Sequence, residues 1–110
     1  MSDSFQKRQN AFEAKFQNDQ ETIFKTRART AKKFGLWVAK EMGLGDAEAA
    51  EYADQLIDLG MKDPRFDAVV EHVKKDLPDF NEARLEVELE RCQDEAQASI
   101  AAEMAKKESA

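Results

Sequence analysis

The stretch "NDQETIFKTRARTAKKFGLWVAKEMGLGD", residues 18 to 46, decides the fold. Asn18 stands three residues before Glu21, the spacing of a capping box, and Gly43 and Gly45 punctuate the chain about 25 residues later. The spacing predicts one long helix over residues 19–42. On a helical wheel Ile23, Phe24, Ala28, Ala31, Phe34, Gly35, Val38 and Met42 share an arc of about 140°, the stripe of a core-facing helix. Lys25, Arg29, Lys32, Lys33 and Lys40 lie opposite, and Leu36 and Trp37 fall off the core arc. Gly35 inside a helix costs about 1 kcal/mol relative to Ala, so a neighbouring helix is expected to pass close at that point.

Three more helices follow. Asp46 is placed to cap a second, ending at Gly60, with Ala49, Ala50, Ala53, Leu56 and Ile57 on its buried face. In "KDPRF", Asp63 reads as the cap and Pro64 as the first residue of a third, whose inner face is Phe66, Val69, Val70, Val73 and Leu77 before Pro78 stops it. In "DFNE", Asp79 with Glu82 three residues on reads as the cap of a fourth. Its apolar stripe is Leu85, Leu89, Cys92, Ala96, Ile100 and Met104, and its tail is expected to fray over residues 106–110. Short loops join these segments, so the expected fold is all-α, a small antiparallel four-helix bundle over residues 18–105.

Composition agrees. The chain of 110 residues suits one domain, and 17 alanines among its apolar residues favour helix over sheet. No run approaches the roughly 18 to 20 apolar residues of a membrane span, and "MSDSFQKRQN" has no apolar signal core, so a soluble cytoplasmic protein without direct membrane insertion is expected. Cys92 and His72 are each the only one of their kind, which leaves neither a disulfide nor a four-ligand zinc site. Cys92 reads as a small core hydrophobe and His72 as a residue on the wet side of its helix. GxxxxGK, GxGxxG and HExxH are absent, so no enzyme and no cofactor are expected. Weak nucleotide binding by the basic face stays open, although no phosphate loop supports it. The net charge of −6 divides into +4 over residues 1–42 and −10 over residues 43–110. So acidic a chain is a poor general nucleic-acid binder, and no nucleic-acid partner is expected.

Residues 1–17 precede the cap at Asn18 and carry Phe5, Phe12 and Phe16 in a polar setting. As a helix the three rings would project within about 40° of one another. An isolated helix of this length is marginal in water. Ordering it costs about 1 to 2 kcal/mol per residue, while burying three Phe side chains returns about 5 to 9 kcal/mol in all. One reading is therefore a flexible segment that becomes helical in a groove of another protein. The other has the first helix start earlier and lay the rings on the bundle.

Phe5, Arg8, "AFEAKF" from Ala11 to Phe16, Asp19, "FK" at Phe24 and Lys25, Arg29, "GLW" from Gly35 to Trp37, Ala39, and "GL" at Gly43 and Leu44 occur in one order and register. Together they resemble the zeta-subunit family of alphaproteobacterial ATP synthase inhibitors. The resemblance is dense from Phe5 to Leu44 and looser after about Leu59. It implies an inhibitor of the rotary ATP synthase head, whose N-terminal segment enters as a helix at an interface of the alpha and beta subunits near the gamma stalk and blocks rotation in the hydrolysis direction. Its implied partners are those three subunits, and its implied location is cytoplasmic, peripheral to the inner membrane. Carried over residue by residue, Phe5, Phe12 and Phe16 would be apolar anchors, and Arg8, Glu13 and Lys15 would pair at the groove's edge. Lys25, Arg29, Lys32, Lys33, Leu36 and Trp37 form a candidate second docking face. The chain departs from the resembled pattern at Gln6 and Lys7, which make the insert more basic. A helical adaptor or regulatory binding protein without inhibitory activity is the alternative reading.

Overall fold

The structure is a computed structural model that describes residues 20–109, with side chains to residue 106. These residues form four helices and no strand: α1 (Gln20–Glu41), α2 (Asp46–Lys62), α3 (Asp67–Asp76) and α4 (Glu82–Ser109). The domain boundary expected at residue 17 lies outside them. Helix α1 is the centre of the bundle, packed most extensively on α2 and then on α4, while the short α3 bridges α2 and α4. Helices α1 and α2 run antiparallel, because Gly35 meets Ala53 and Ala31 approaches Gly60. Helices α1 and α4 do too: Arg29 reaches Ser99 and Glu103, and Lys33 reaches Glu95.

The close passage expected at Gly35 is present. A Cβ added there would lie 2.7 Å from the Ala53 Cα, so only a residue without a side chain lets the two backbones approach. The core is drawn from every helix: Phe34 and Val38, Leu56, Val69 and Val73, and Leu85 are all fully buried. The inner face expected for α3 is buried throughout, as is the α4 stripe from Leu85 to Ile100, with Met104 half-buried. Cys92 is 1% exposed, the core hydrophobe expected.

Helix α1 ends as its glycine predicts. Gly43 takes φ 74°, its N–H bonds the Lys40 carbonyl, and the Leu44 N–H reaches back to the Ala39 carbonyl, a Schellman closure that satisfies the last carbonyls. The other caps differ from the sequence reading. Asp46 is the first residue of α2 rather than its cap, and the cap position, Gly45, makes no side-chain hydrogen bond. Helix α2 continues past Gly60 to Lys62 because the Phe66 ring fits against the bare Gly60 Cα. Helix α3 starts at Asp67, not Pro64. Asp63 still serves its N-terminus from a distance, its carboxylate accepting the N–H groups of Arg65 and Ala68. Between them Phe66 adopts a left-handed conformation, φ 62°, uncommon for a bulky residue and held here by burial of its ring. For α4 the capping side chain is Asn81, whose Oδ1 accepts the Arg84 N–H at 2.7 Å, in place of Asp79.

Three burial assignments also change. Phe24, expected in the core, is 61% exposed, and Ala50 faces solvent. Trp37, read as lying off the core arc, packs on the cluster: it stacks on Phe34 at 6.0 Å, meets Phe80 edge-on at 5.7 Å and lies under the Arg84 guanidinium.

Candidate docking faces

A helix can offer a partner only the side chains that its own fold has not engaged. Of the six residues expected to form the second docking face, three make contacts within the body, Arg29 and Lys33 while staying about a third exposed. Arg29 donates to Ser99 Oγ and Glu103 Oε1, both at 2.8 Å, and Lys33 Nζ lies 3.7 Å from Glu95, so both cations fasten α1 to α4. Trp37 is held in its aromatic sandwich. The remaining three face outward: Lys25, loosely paired with Glu21 at 3.6 Å, Lys32, and Leu36, which is 40% exposed. The wheel places them on one ridge. Phe5, Arg8, Phe12, Glu13, Lys15 and Phe16 lie outside the described residues.

The acidic half is organised differently. Glu88 is almost buried, and it holds Arg91 at 2.9 Å and Arg84 at 3.6 Å, while Arg91 also reaches Glu95 at 2.6 Å. This chain of charges along α4 stabilises the helix surface and leaves Glu88 matched by cations rather than stranded. At the far end of α1 an open hollow of about 470 Å³ is lined by Glu41, Asp76 and Asp79 together with Leu44, Leu77 and Phe80.

Among the described residues the titratable groups with shifted pKa values serve packing, capping and surface pairing. Burial pushes the Cys92 thiol up to about 11, with Glu95 and Glu88 adding to the shift and Arg91 opposing it, so the thiolate that a nucleophile needs is suppressed. Tyr52 donates its phenolic proton to Asp76 at 2.7 Å, and burial together with that carboxylate holds its pKa well above the ordinary tyrosine range. His72, half-exposed rather than fully on the wet side, sits 3.3 Å from the same carboxylate and against the Tyr52 ring, an arrangement that pins α3 to α2. The N–H groups of Ala68 and Arg65 hold the Asp63 carboxyl below its usual range. Among the described residues no group of three or more His, Cys, Asp or Glu side chains suits a metal ion. None of the described helices is long and apolar enough to cross a membrane.

Against this background the comparisons with known proteins are specific. The family model described as ATPase inhibitor subunit zeta matches residues 1–99. The chain belongs to that family. Its description is regulatory, in keeping with a body whose polar groups are spent on structure. No curated protein and no solved structure matches the chain. For this zeta-family member, sequence spacing found the outward ridge of Lys25, Lys32 and Leu36 but not that Arg29 and Lys33 reach across to partners on α4. The signal for that lay in the register of α4: Glu95, Ser99 and Glu103 recur at four-residue spacing, matching the four residues between Arg29 and Lys33. Periodicity also concealed Phe24, since the stripe it belongs to is apolar from end to end.

Proposed function

We propose that this chain inhibits ATP hydrolysis by the catalytic head of the rotary ATP synthase, with residues 1–17 as the acting element. The observation that carries the proposal is the extent of the family match, which begins at residue 1 and so takes in Phe5, Phe12 and Phe16 together with the helical body. In this reading the segment becomes a helix at an interface of the alpha and beta subunits, near gamma. The three rings fill an apolar groove, and Arg8, Glu13 and Lys15 pair at its edge. The body stays outside and limits how far the segment enters, which places the protein in the cytoplasm at the membrane's edge through its partner.

An inserted rod needs no chemistry of its own. It need only bind one rotational state of the head better than the others, because a ligand shifts an equilibrium by its differential affinity alone. Three buried rings supply about 5 to 9 kcal/mol toward that difference, before the cost of ordering the segment. Lys25, Lys32 and Leu36 form one outward ridge of α1 that would rest on the head's surface. Their charges add mainly to the rate and orientation of docking, since exposed pairs contribute little affinity.

The test is ATP hydrolysis by the isolated cognate head, titrated with the full chain and with a version lacking residues 1–17. The expected result is inhibition by the full chain only, with Phe12→Ala weakening it by about tenfold or more. Absence of inhibition by the full chain would overturn the proposal and leave the body as an adaptor.

A further inference from the structure

Helix α1 turns one ridge toward α2: Phe24, Ala28, Ala31, Gly35, Ala39 and Met42, at spacings of three and four. Cover along this ridge is uneven. Gly35 is pressed on Ala53 and Ala31 sits near Gly60, both fully enclosed, whereas Ala28 is half-buried and Phe24 is 61% exposed. The reason lies in α2, which ends at Lys62, just beyond the Gly60 contact, after which Asp63 to Phe66 turn the chain into α3. The first two turns of α1 therefore overhang the end of α2, and an apolar ridge built for a neighbour runs out of the bundle with its largest side chain uncovered.

We infer that Phe24 is a partner-binding anchor, a fourth aromatic contact made by the body itself and seated on the protein groove that receives residues 1–17. The inference rests on the proposed inhibitory reading and extends it past the N-terminal segment. Two observations choose this occupant. The nineteen residues that precede α1 join it at Gln20, four positions before Phe24, so the segment that carries Phe5, Phe12 and Phe16 runs into the body beside the uncovered ring. A groove holding the Phe5 to Phe16 stripe thus leads directly to the overhang. Cations flank the ring: Lys25 has only its long, exposed pair with Glu21, and Arg27 has no hydrogen bond or ion pair among the described residues. The complementary surface is an apolar groove with a carboxylate rim, and Phe24 binds there as a buried aromatic with charges around it, the usual composition of an interface anchor.

The experiment compares wild type, Phe24→Ser and Phe24→Leu as full chains in three measurements: half-inhibiting concentration on the cognate catalytic head, thermal unfolding, and sedimentation velocity of the free protein. Phe24→Ser is expected to raise the half-inhibiting concentration about tenfold, Phe24→Leu to stay near wild type, and all three to melt together as monomers. Equal inhibition by wild type and Phe24→Ser would overturn the inference while leaving the inhibitory reading intact. A lower melting temperature for Phe24→Ser would make the ring structural. Self-association of wild type, lost in Phe24→Ser, would assign the surface to a second copy of the chain. A wild type that does not inhibit would end both readings at once, and that arm alone reports it.

Discussion

The two sides of α1 are held by opposite means. Against α2 the contact is steric: Gly35 and Ala53 bring backbones together, and the bare Gly60 faces Ala31 as well as the Phe66 ring that follows α2. Against α4 it is lateral and partly polar: Arg29 with Glu103 and Ser99, and Lys33 with Glu95, fringe the apolar stripe from Leu85 to Ile100. The difference teaches where each interface can yield. Close-packed backbones have no slack, so a methyl group is felt at once, whereas long side chains in water rearrange at little cost.

The largest effect is therefore expected at the steric side. Gly35→Val should lower stability by about 3 kcal/mol in urea unfolding, because its side chain meets the Ala53 backbone, which cannot swing away. Gly60→Ala should cost about 1 kcal/mol: the added methyl falls 2.7 Å from Cε1 of Phe66, a ring that can shift, and the gain in helix propensity offsets part of the strain. Equal losses at the two glycines would break the distinction between backbone and side-chain contact.

Cys92, buried on α4, gives a test of intermediate size. Its folded pKa of about 11 stands above that of an unfolded thiol, so the folded chain keeps a proton that the unfolded chain has released. This contribution is whole below about pH 9 and is lost as pH rises toward 11, by roughly 1.4 kcal/mol near pH 10. Cys92→Ala should flatten that part of the stability profile, whatever its offset at pH 7. The smallest effect belongs to the charged fringe. A double-mutant cycle of Arg29→Met and Glu103→Gln should give a coupling of about 0.5 kcal/mol that shrinks in high salt. A value above about 2 kcal/mol would make the α4 side as unforgiving as the α2 side.

The same contrast explains what the sequence made legible. Four helices, the Gly35 approach, the α3 face and the α4 stripe were readable because periodicity and small residues report local geometry. Phe24 was misplaced because a stripe shows which side of a helix is apolar, not where the helix covering it stops. The caps failed for a related reason. "DPRF" and "PDFNE" each offer more than one geometry, and tertiary burial chose: Phe66 went under Gly60, and Asn81 rather than Asp79 took the Arg84 N–H. Thr30 is buried without having announced itself, since its hydroxyl donates to the Thr26 carbonyl inside its own helix. Of the candidate site, the outward ridge of α1 could be read, while the pairing of Arg29 and Lys33 with α4 depended on a helix some sixty residues away in the chain.

Trp37 has an optical consequence. It is the chain's one tryptophan, seated between Phe34, Phe80 and the Arg84 guanidinium, so a single fluorophore watches the seal between α1 and the loop leading into α4. Seventeen residues, about 26 Å of helical rise, separate it from Gln20. Its emission is placed to follow melting of the body and to stay silent toward contact confined to the first turns of α1 around Phe24, whereas a partner that also covers Leu36, the neighbouring residue, would reach it.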